Sequence, residues 1–267
     1  MKKTHKFEKK IKEEICEEYM IGKSGPFLAN KYNCSPPTIY YILKNNNIEI
    51  RKQTNLQRKY KKIDEEFFDI INNQNKAYFL GFLFADGHNS AKENKIRLSL
   101  NKVDKEILVK IRDLISPEQP LHFGKTNNIV TLQISNKHLS KQLKTYGIVG
   151  KKAFKIRFPF GKVNDYKSHF VRGYFDGDGS IYPINKSRTG FKITSNYNFL
   201  NDLNSVFSEE IKLNFPIYKN PPSYELKTSA KDKVYKFLNW IYQDADLYLE
   251  RKYKRYQEFL EWYNSEG

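Results

Sequence analysis

The chain has 267 residues, 39% of them hydrophobic, and its 47 Lys and Arg against 30 Asp and Glu give a formal net charge of +17. This excess of positive charge indicates a polyanionic partner, most often nucleic acid. Two Cys are too few for a disulfide scaffold or a zinc cluster, no apolar run is long enough to span a membrane, and no signal peptide is visible, so we expect a cytoplasmic protein.

The N-terminal region is the most basic, since residues 1–62 hold 13 Lys and 2 Arg against 6 Glu. Apolar residues at helical spacing predict a first helix there: Ile11, Ile15, Tyr19 and Met20. A second helix is predicted over residues 24–32, with Pro26 in its first turn. After a tight turn at residues 33–35, a third helix is predicted to continue to Lys44, with Ser35 as its cap.

Three short helices with this turn resemble the helix-turn-helix of resolvase-like and transposase-like DNA-binding domains. In such a domain the third helix enters the major groove, which places five residues at the DNA: Ser35, Thr38, Tyr40, Tyr41 and Lys44. The alternative is a three-helix cap with a basic surface. Residues 51–66 are interpreted as a basic linker, in which Arg51, Arg58 and Lys59 contact phosphates, or alternatively as a solvated tether.

One motif occurs twice in the rest of the chain. Phe79-Leu80-Gly81-Phe82-Leu83-Phe84-Ala85-Asp86-Gly87 is followed by Val171-Arg172-Gly173-Tyr174-Phe175-Asp176-Gly177-Asp178-Gly179, 92 residues later. Each copy predicts a mostly apolar helix with an internal Gly, then a small residue, an Asp and a terminating Gly. A strand, an amphipathic helix and a further strand are predicted after each copy. Two copies at this period indicate a duplicated α/β half.

Glycine inside both motif helices predicts a close contact between them. A Gly in a helix interior costs about 1 kcal/mol relative to Ala, so Gly81 and Gly173 suggest that two backbones approach closely. Parallel packing would bring the carboxylates of Asp86 and Asp178 together at one end, where divalent cations relieve their repulsion. Paired carboxylates holding Mg²⁺ suit phosphodiester hydrolysis, which needs an activated water and a stabilised leaving oxygen.

The two motif copies resemble those of single-chain LAGLIDADG homing endonucleases, over about residues 64–267. The resemblance implies an α+β fold with two pseudo-symmetric αββαββα halves, residues 67–163 and 164–267, that form a saddle over DNA. A small all-α helix-turn-helix domain, residues 1–50, precedes them. Phe84 stands where the first Asp of the motif often lies, but the resemblance makes that position structural, and Asp176 keeps it in the second copy.

The resemblance also implies the site residues. It assigns two or three Mg²⁺ ions to the interface of the motif helices, with these ligands: Asp86, Asp178 and the backbone carbonyls of Ala85 and Gly177. It assigns further catalytic roles to two strand residues, Gln133 and Lys227. Base contacts are expected from the strands near residues 89–100, 127–135, 181–194 and 218–229. Two DNA contacts are expected on them: Arg97 and Lys192.

The predicted function is therefore a monomeric, Mg²⁺-dependent, site-specific endonuclease that cuts double-stranded DNA and needs no protein partner or membrane. A phage-borne or intron-encoded mobile element fits this prediction. The alternatives on the same fold are a non-cleaving DNA-binding regulator of the WhiA type and an RNA maturase. A calcium loop at residues 176–181 is disfavoured, because its first and twelfth positions would be Tyr174 and Asn185. The basic run 251–255 is compatible with phosphate contact or with a solvated helix face.

Overall fold

The computed structural model describes residues 7–50, 62–149, 155–182 and 189–265. The chain separates into two compact units, Met1–Lys59 and Tyr60–Gly267. The phosphate contacts predicted at Arg51, Arg58 and Lys59 lie outside the described residues. None of the helices within the described ranges has the length and apolar character needed to cross a membrane.

Over residues 7–50, the first unit has three helices: α1 (Lys9–Met20), α2 (Gly25–Lys31) and α3 (Pro36–Asn45). Their inner faces form a small core around Ile15, Leu28 and Ile39, all fully buried. The backbone N–H of Phe27 donates to Ser24 Oγ at 3.2 Å, which caps α2. Helix order therefore agrees with the sequence, although the assignment of the unit as a helix-turn-helix stays a prediction.

Two details of this unit differ from the sequence prediction. Met20 is 66% exposed and does not join the core, because it is the last residue of α1. Ser35 precedes α3, but its side chain makes no capping bond to the backbone. Its Oγ lies 2.9 Å from Thr38 Oγ1 instead, so the two hydroxyls satisfy each other.

The second unit contains two copies of an αββαββα arrangement. The first copy comprises α4 (Gln74–Ala85), β1 (Gly87–Ser90), β2 (Lys95–Asn101), α5 (Lys105–Ile115), β3 (Leu121–Phe123), β4 (Ile129–Ser135) and α6 (Lys137–Thr145). The second comprises α7 (Lys167–Asp178), β5 (Gly179–Ile181), β6 (Phe191–Ser195), α8 (Tyr197–Ile211), β7 (Ile217–Asn220), β8 (Ser223–Thr228) and α9 (Lys231–Tyr242), and α10 (Glu250–Ser265) follows it. The predicted α+β fold and its duplication are confirmed.

Each copy builds a four-stranded antiparallel sheet, ordered β1-β2-β4-β3 in the first and β5-β6-β8-β7 in the second. Alternate residues of β2, β4 and β6 are buried, as Ile96, Leu98 and Leu100 are in β2, and in β8 Leu226 faces the core. One face of each sheet therefore packs on the hydrophobic core, and the residues between the buried ones lie on the opposite face. We call this opposite face the open face.

The two copies meet through the motif helices, α4 and α7. A Cβ atom on Gly81 would lie 2.0 Å from the carbonyl oxygen of Phe170, and one on Gly173 would lie 2.0 Å from that of Tyr78. Both pairs obey the 92-residue repeat, so the contact is symmetric. Further along α7, Gly177 contacts Ala85 of α4. Contacting residues therefore rise together in number from Gly173 to Gly177, so the helices are parallel, and their backbones approach too closely for any side chain at Gly81 or Gly173.

The glycines after the two Asp residues serve a purpose that the sequence does not predict. Gly87 and Gly179 follow the ends of α4 and α7, as predicted, and they are also the first residues of β1 and β5. A Cβ on Gly87 would lie 2.6 Å from the carbonyl oxygen of Leu83, and one on Gly179 would lie 2.2 Å from the ring of Phe175. Each glycine lets its strand start directly against the last turn of the preceding helix.

Replacing Gly81 by Ala should reduce the free energy of unfolding by about 3 kcal/mol, because the added methyl group overlaps backbone atoms of α7. In a helix with free space the same change would stabilise by about 1 kcal/mol. Urea denaturation measures the difference. The control is Gly147→Ala, where φ is +91° and nothing lies within 4 Å of an added Cβ, so only backbone strain of about 1–2 kcal/mol is expected. A smaller loss for Gly81→Ala than for the control would contradict the close contact.

Candidate active site

The two predicted acids lie at neighbouring helix ends. Asp86 follows the last residue of α4, and Asp178 is the last residue of α7. A Cβ atom on Gly177 would lie 2.2 Å from Ala85 Cβ and 3.1 Å from Asp86 Oδ2. The carboxylate of Asp86 therefore lies against the residue that precedes Asp178.

Tyr174 is a buried phenol within electrostatic reach of both carboxylates. Tyr174 is buried, and its hydroxyl donates to Ser195 Oγ at 2.8 Å. Burial raises the pKa of Tyr174 well above its usual range, and the negative charges of Asp178 and Asp86 raise this pKa further. Because both carboxylates act on one phenol, they occupy the same end of the helix pair. A cavity of about 320 Å³ opens there, lined in part by Ala85 and Asp178.

The donors at this end suit a hard divalent cation. A side chain at Gly177 would fill the space beside the Asp86 carboxylate, and Gly leaves it open. Mg²⁺ is commonly held by one or two carboxylates, with water and substrate phosphates as its other ligands. Two acids are sufficient for such a site, although the described stretches contain no group of three or more His, Cys, Asp or Glu placed to hold a metal ion. The carboxylates of Asp86 and Asp178 therefore suit Mg²⁺, and the carbonyls of Ala85 and Gly177 stay predicted ligands.

A buried carboxylate, that of Asp176, anchors the same end of α7. It accepts hydrogen bonds from Tyr242 Oη at 2.6 Å, Tyr78 Oη at 2.8 Å and the backbone N–H of Leu249 at 2.8 Å. Burial raises the pKa of Asp176, opposed by these donors. Asp176 thus ties α7 to α4, α9 and the start of α10, which makes it a structural residue. The equivalent residue of α4, Phe84, packs on apolar rings instead.

Lys252 is a further buried residue that the sequence interpretation missed. Its ammonium group donates to the carbonyl oxygens of Phe175, Asp176 and Gly179, at 2.6, 2.7 and 2.6 Å. Burial lowers the pKa of Lys252 to about 8, and the charge of Asp176 opposes the shift. The basic run 251–255 was predicted to contact phosphates or to form a solvated helix face, and both predictions are wrong for Lys252. Its spacing of four and seven residues from the buried Tyr256 and Phe259 could have placed it on the inner face.

The predicted strand residues lie on the open faces of the sheets. In the first sheet Arg97 pairs in register with Gln133, and its Nε donates to Gln133 Oε1 at 2.7 Å. In the second sheet the register pair is Lys192 and Lys227. The two pairs occupy equivalent positions in the two sheets, as the repeat requires.

Glu225 joins the two lysines of the second sheet. Its carboxylate accepts hydrogen bonds from Lys192 Nζ at 2.8 Å, Lys227 Nζ at 3.0 Å and Asn220 Nδ2 at 2.9 Å. The hydrogen bonds from the two ammonium groups lower the pKa of Glu225 to about 2. The sequence analysis did not single out Glu225, although its two-residue spacing from Lys227 in a strand places both on one face. The Lys227 ammonium also lies over the ring of Tyr218, 5.0 Å from its centroid.

The five residues predicted to face DNA in the first unit are exposed to different degrees, and Tyr40 is half-buried, like Thr38. Ser35, Tyr41 and Lys44 are exposed, and Thr38 is half-buried. Tyr40 differs, because its ring packs against α2, where a Cβ on Gly25 would come within 2.6 Å of it. Tyr40 therefore contributes to the packing of α2 against α3.

Comparisons with known proteins agree with the duplicated architecture. Residues 165–242 match the family model described as a LAGLIDADG-like domain. Two proteins of Methanocaldococcus jannaschii are similar to part of the chain. DNA-directed RNA polymerase subunit Rpo1C is 29% identical over 126 residues, which cover 45% of this chain and 14% of that protein. Replication factor C small subunit is 28% identical over 182 residues, 64% of this chain and 9% of that protein. The chain thus matches only a small part of the length of these curated relatives.

Solved structures share the fold at low sequence identity. The LAGLIDADG meganuclease I-AabMI bound to uncleaved DNA superposes with a TM-score of 0.52 and 17% identity, covering 72% of this chain and 90% of that one. Meganuclease I-SmaMI bound to uncleavable DNA gives 0.51 and 13%, covering 69% and 89%. Residues 165–242 are therefore similar to a LAGLIDADG-like domain, and the chain shares the fold of these LAGLIDADG meganucleases.

Proposed function

We propose that this protein is a monomeric, Mg²⁺-dependent endonuclease that cuts both strands of double-stranded DNA at a specific site. The observation that carries the proposal is the convergence of Asp86 and Asp178 at one end of two parallel helices. A structural role alone does not explain two acids of opposite repeat copies at one point, since their charges repel. Hydrolysis of a phosphodiester explains them, because it needs a bound cation beside the scissile phosphate.

The residues of the candidate site have different roles in the proposed reaction. Asp86 and Asp178 would hold Mg²⁺ with the carbonyls of Ala85 and Gly177. Bound Mg²⁺ supplies a water of lowered pKa for attack on phosphorus and stabilises the leaving oxygen. Gly177 keeps the space beside the Asp86 carboxylate open, which would leave room for the phosphate.

Binding of DNA fits the open faces of the two sheets. Arg97 on the first sheet, and Lys192 and Lys227 on the second, offer cationic groups for phosphates and base edges. The net charge of +17 supports a polyanionic partner. The fold is shared with I-AabMI and I-SmaMI, each solved in complex with DNA.

Asp86→Asn and Asp178→Asn should each abolish cleavage, because each removes a charged ligand of the cation. The loss should exceed the roughly 100-fold that removal of an outer-shell partner costs at a metal site. A random library of double-stranded DNA, enriched for bound sequences, supplies the substrate, and cutting is measured with Mg²⁺ or EDTA. The matched control is Asp113→Asn, which neutralises a half-exposed acid of α5.

Cutting at a discrete site that requires Mg²⁺ and both acids is the expected result, with DNA binding kept in both variants. Tight, site-specific binding by the wild type without any cutting would contradict the proposal. That outcome would favour a non-cleaving DNA-binding regulator.

Glu225→Gln should strengthen non-specific DNA binding, because it releases Lys192 and Lys227 for phosphates. One extra phosphate contact steepens the dependence of log Kd on log salt by about 0.9. With its pKa near 2 the carboxylate is ionised from pH 5 to 8, so the difference from wild type should be constant over that range. Glu106→Gln on the exposed side of α5 is the control. A difference that disappears towards pH 5 would contradict the paired state of Glu225.

Deleting residues 1–50 should weaken binding and shorten the protected stretch of DNA on one side, because exposed Tyr41 and Lys44 would be lost. Nuclease footprinting on the selected site measures both effects. The catalytic unit has its own core and should still cut. An unchanged footprint would make the first unit a structural cap.

A further inference from the structure

A single buried ammonium group holds the backbone on both sides of Gly177 and Asp178. Lys252 Nζ donates to the carbonyls of Phe175 and Asp176, which precede these two residues, and to that of Gly179, which follows them. An ammonium group has three donors, and here all three bind backbone oxygens. The chain between these carbonyls is therefore held at both ends by one nitrogen atom.

The position of Lys252 is favourable only because of these contacts. Its side chain is 5% exposed, and burying an ammonium group carries a large desolvation penalty. The three carbonyls offset it, since the end of a helix carries partial negative charge and accepts cations there. If the residue at this position only packed α10 against its neighbours, an apolar residue would be more favourable than Lys.

The segment that carries Lys252 is itself fixed by α7. Arg172 of α7 is buried and donates to the carbonyls of Leu247, at 2.8 Å, and Ile241, at 2.9 Å. Asp176 accepts from the backbone N–H of Leu249. Both ends of the connection between α9 and α10 are thus bound to α7, and Lys252 completes the attachment one turn into α10.

This attachment is not part of the αββαββα arrangement that the two copies share. The first copy ends at α6, and α10 follows only the second copy. At the positions of Arg172 and Asp176, the first motif helix has Leu80 and Phe84, which are apolar and buried. The contacts of Lys252 are therefore specific to the end of α7 that carries Asp178, whereas the neighbouring Arg251 of α10 binds Asp104 of the first copy.

We propose that Lys252 is a positioning residue for the half of the active site that contains Asp178. By fixing the carbonyls of Phe175, Asp176 and Gly179, it holds Gly177 and Asp178 so that their oxygens face Asp86. This inference rests on the proposed endonuclease function and adds that α10 is part of the catalytic apparatus. It implies that the two halves of the site depend unequally on α10.

The test compares Lys252→Met, which keeps the length of the side chain but removes the ammonium group, with Lys254→Met, an exposed position on the same helix. Single-turnover cutting of each DNA strand is followed separately at saturating protein and Mg²⁺. The dissociation constant for the DNA site is measured in EDTA. Amide hydrogen exchange of the metal-free protein reports the backbone at residues 177–180 and at residues 85–88.

Lys252→Met should slow the cutting of one strand about tenfold more than the other, comparable to losing an outer-shell partner of a metal ligand. Its dissociation constant in EDTA should stay within twofold of wild type, and amides 177–180 should exchange faster while amides 85–88 do not. Lys254→Met should match wild type in the cutting rates of both strands and in amide exchange. Equal slowing of both strands together with weaker binding, or wild-type behaviour of Lys252→Met, would overturn the inference and leave the proposed function standing.

If Lys252→Met does not fold, Lys252→Gln, which keeps an N–H donor without the charge, is measured in the same way. Intermediate and strand-selective slowing is then expected, and wild-type rates on both strands would overturn the inference. A wild-type protein that binds its site but cuts neither strand would overturn the proposed function, and the inference with it.

Discussion

The backbone contact between α4 and α7 is the constraint on which the fold and the candidate site both depend. Gly81 and Gly173 each lie against a carbonyl oxygen of the other helix, so a side chain at either position would push the helices apart. The two glycines cost about 1 kcal/mol each in helix propensity, and the apolar core formed by both copies offsets that cost. The contact that joins the copies also sets the separation of Asp86 and Asp178.

Much of the fold could be predicted from the sequence, because the repeat appears both in the motif residues and in the order of the predicted strands and helices that follow them. The strands around Ile96–Leu100 and Phe191–Thr194 and the helix Lys105–Ile115 follow from apolar periodicity, and the motif helices follow from the repeated, mostly apolar motif. The start of β1 and β5 at the glycines after the two acids could not be predicted. A Gly after a helix usually indicates a cap, and only the three-dimensional packing shows that a strand begins there.

The site was predictable in part. The acids could be named because an Asp recurs at one offset in two helices that must touch. The polar contacts around the acids could not be predicted. Lys252 lies 74 residues after Asp178, in a basic run whose composition is typical of a protein surface. Asp176, Arg172 and Lys252 are charged residues whose partners are mostly backbone groups of distant segments. Periodicity indicates which face is buried but not which carbonyl a buried charge will meet.

The most direct test of the account is the location of a divalent cation in the protein bound to its selected DNA site. Crystals grown with Mn²⁺ in place of Mg²⁺ give an anomalous signal that marks the ion without assumptions about its ligands. The account predicts Mn²⁺ between the ends of α4 and α7, bound by the carboxylates of both Asp86 and Asp178. Mn²⁺ bound elsewhere, with these carboxylates occupied by protein donors alone, would contradict it.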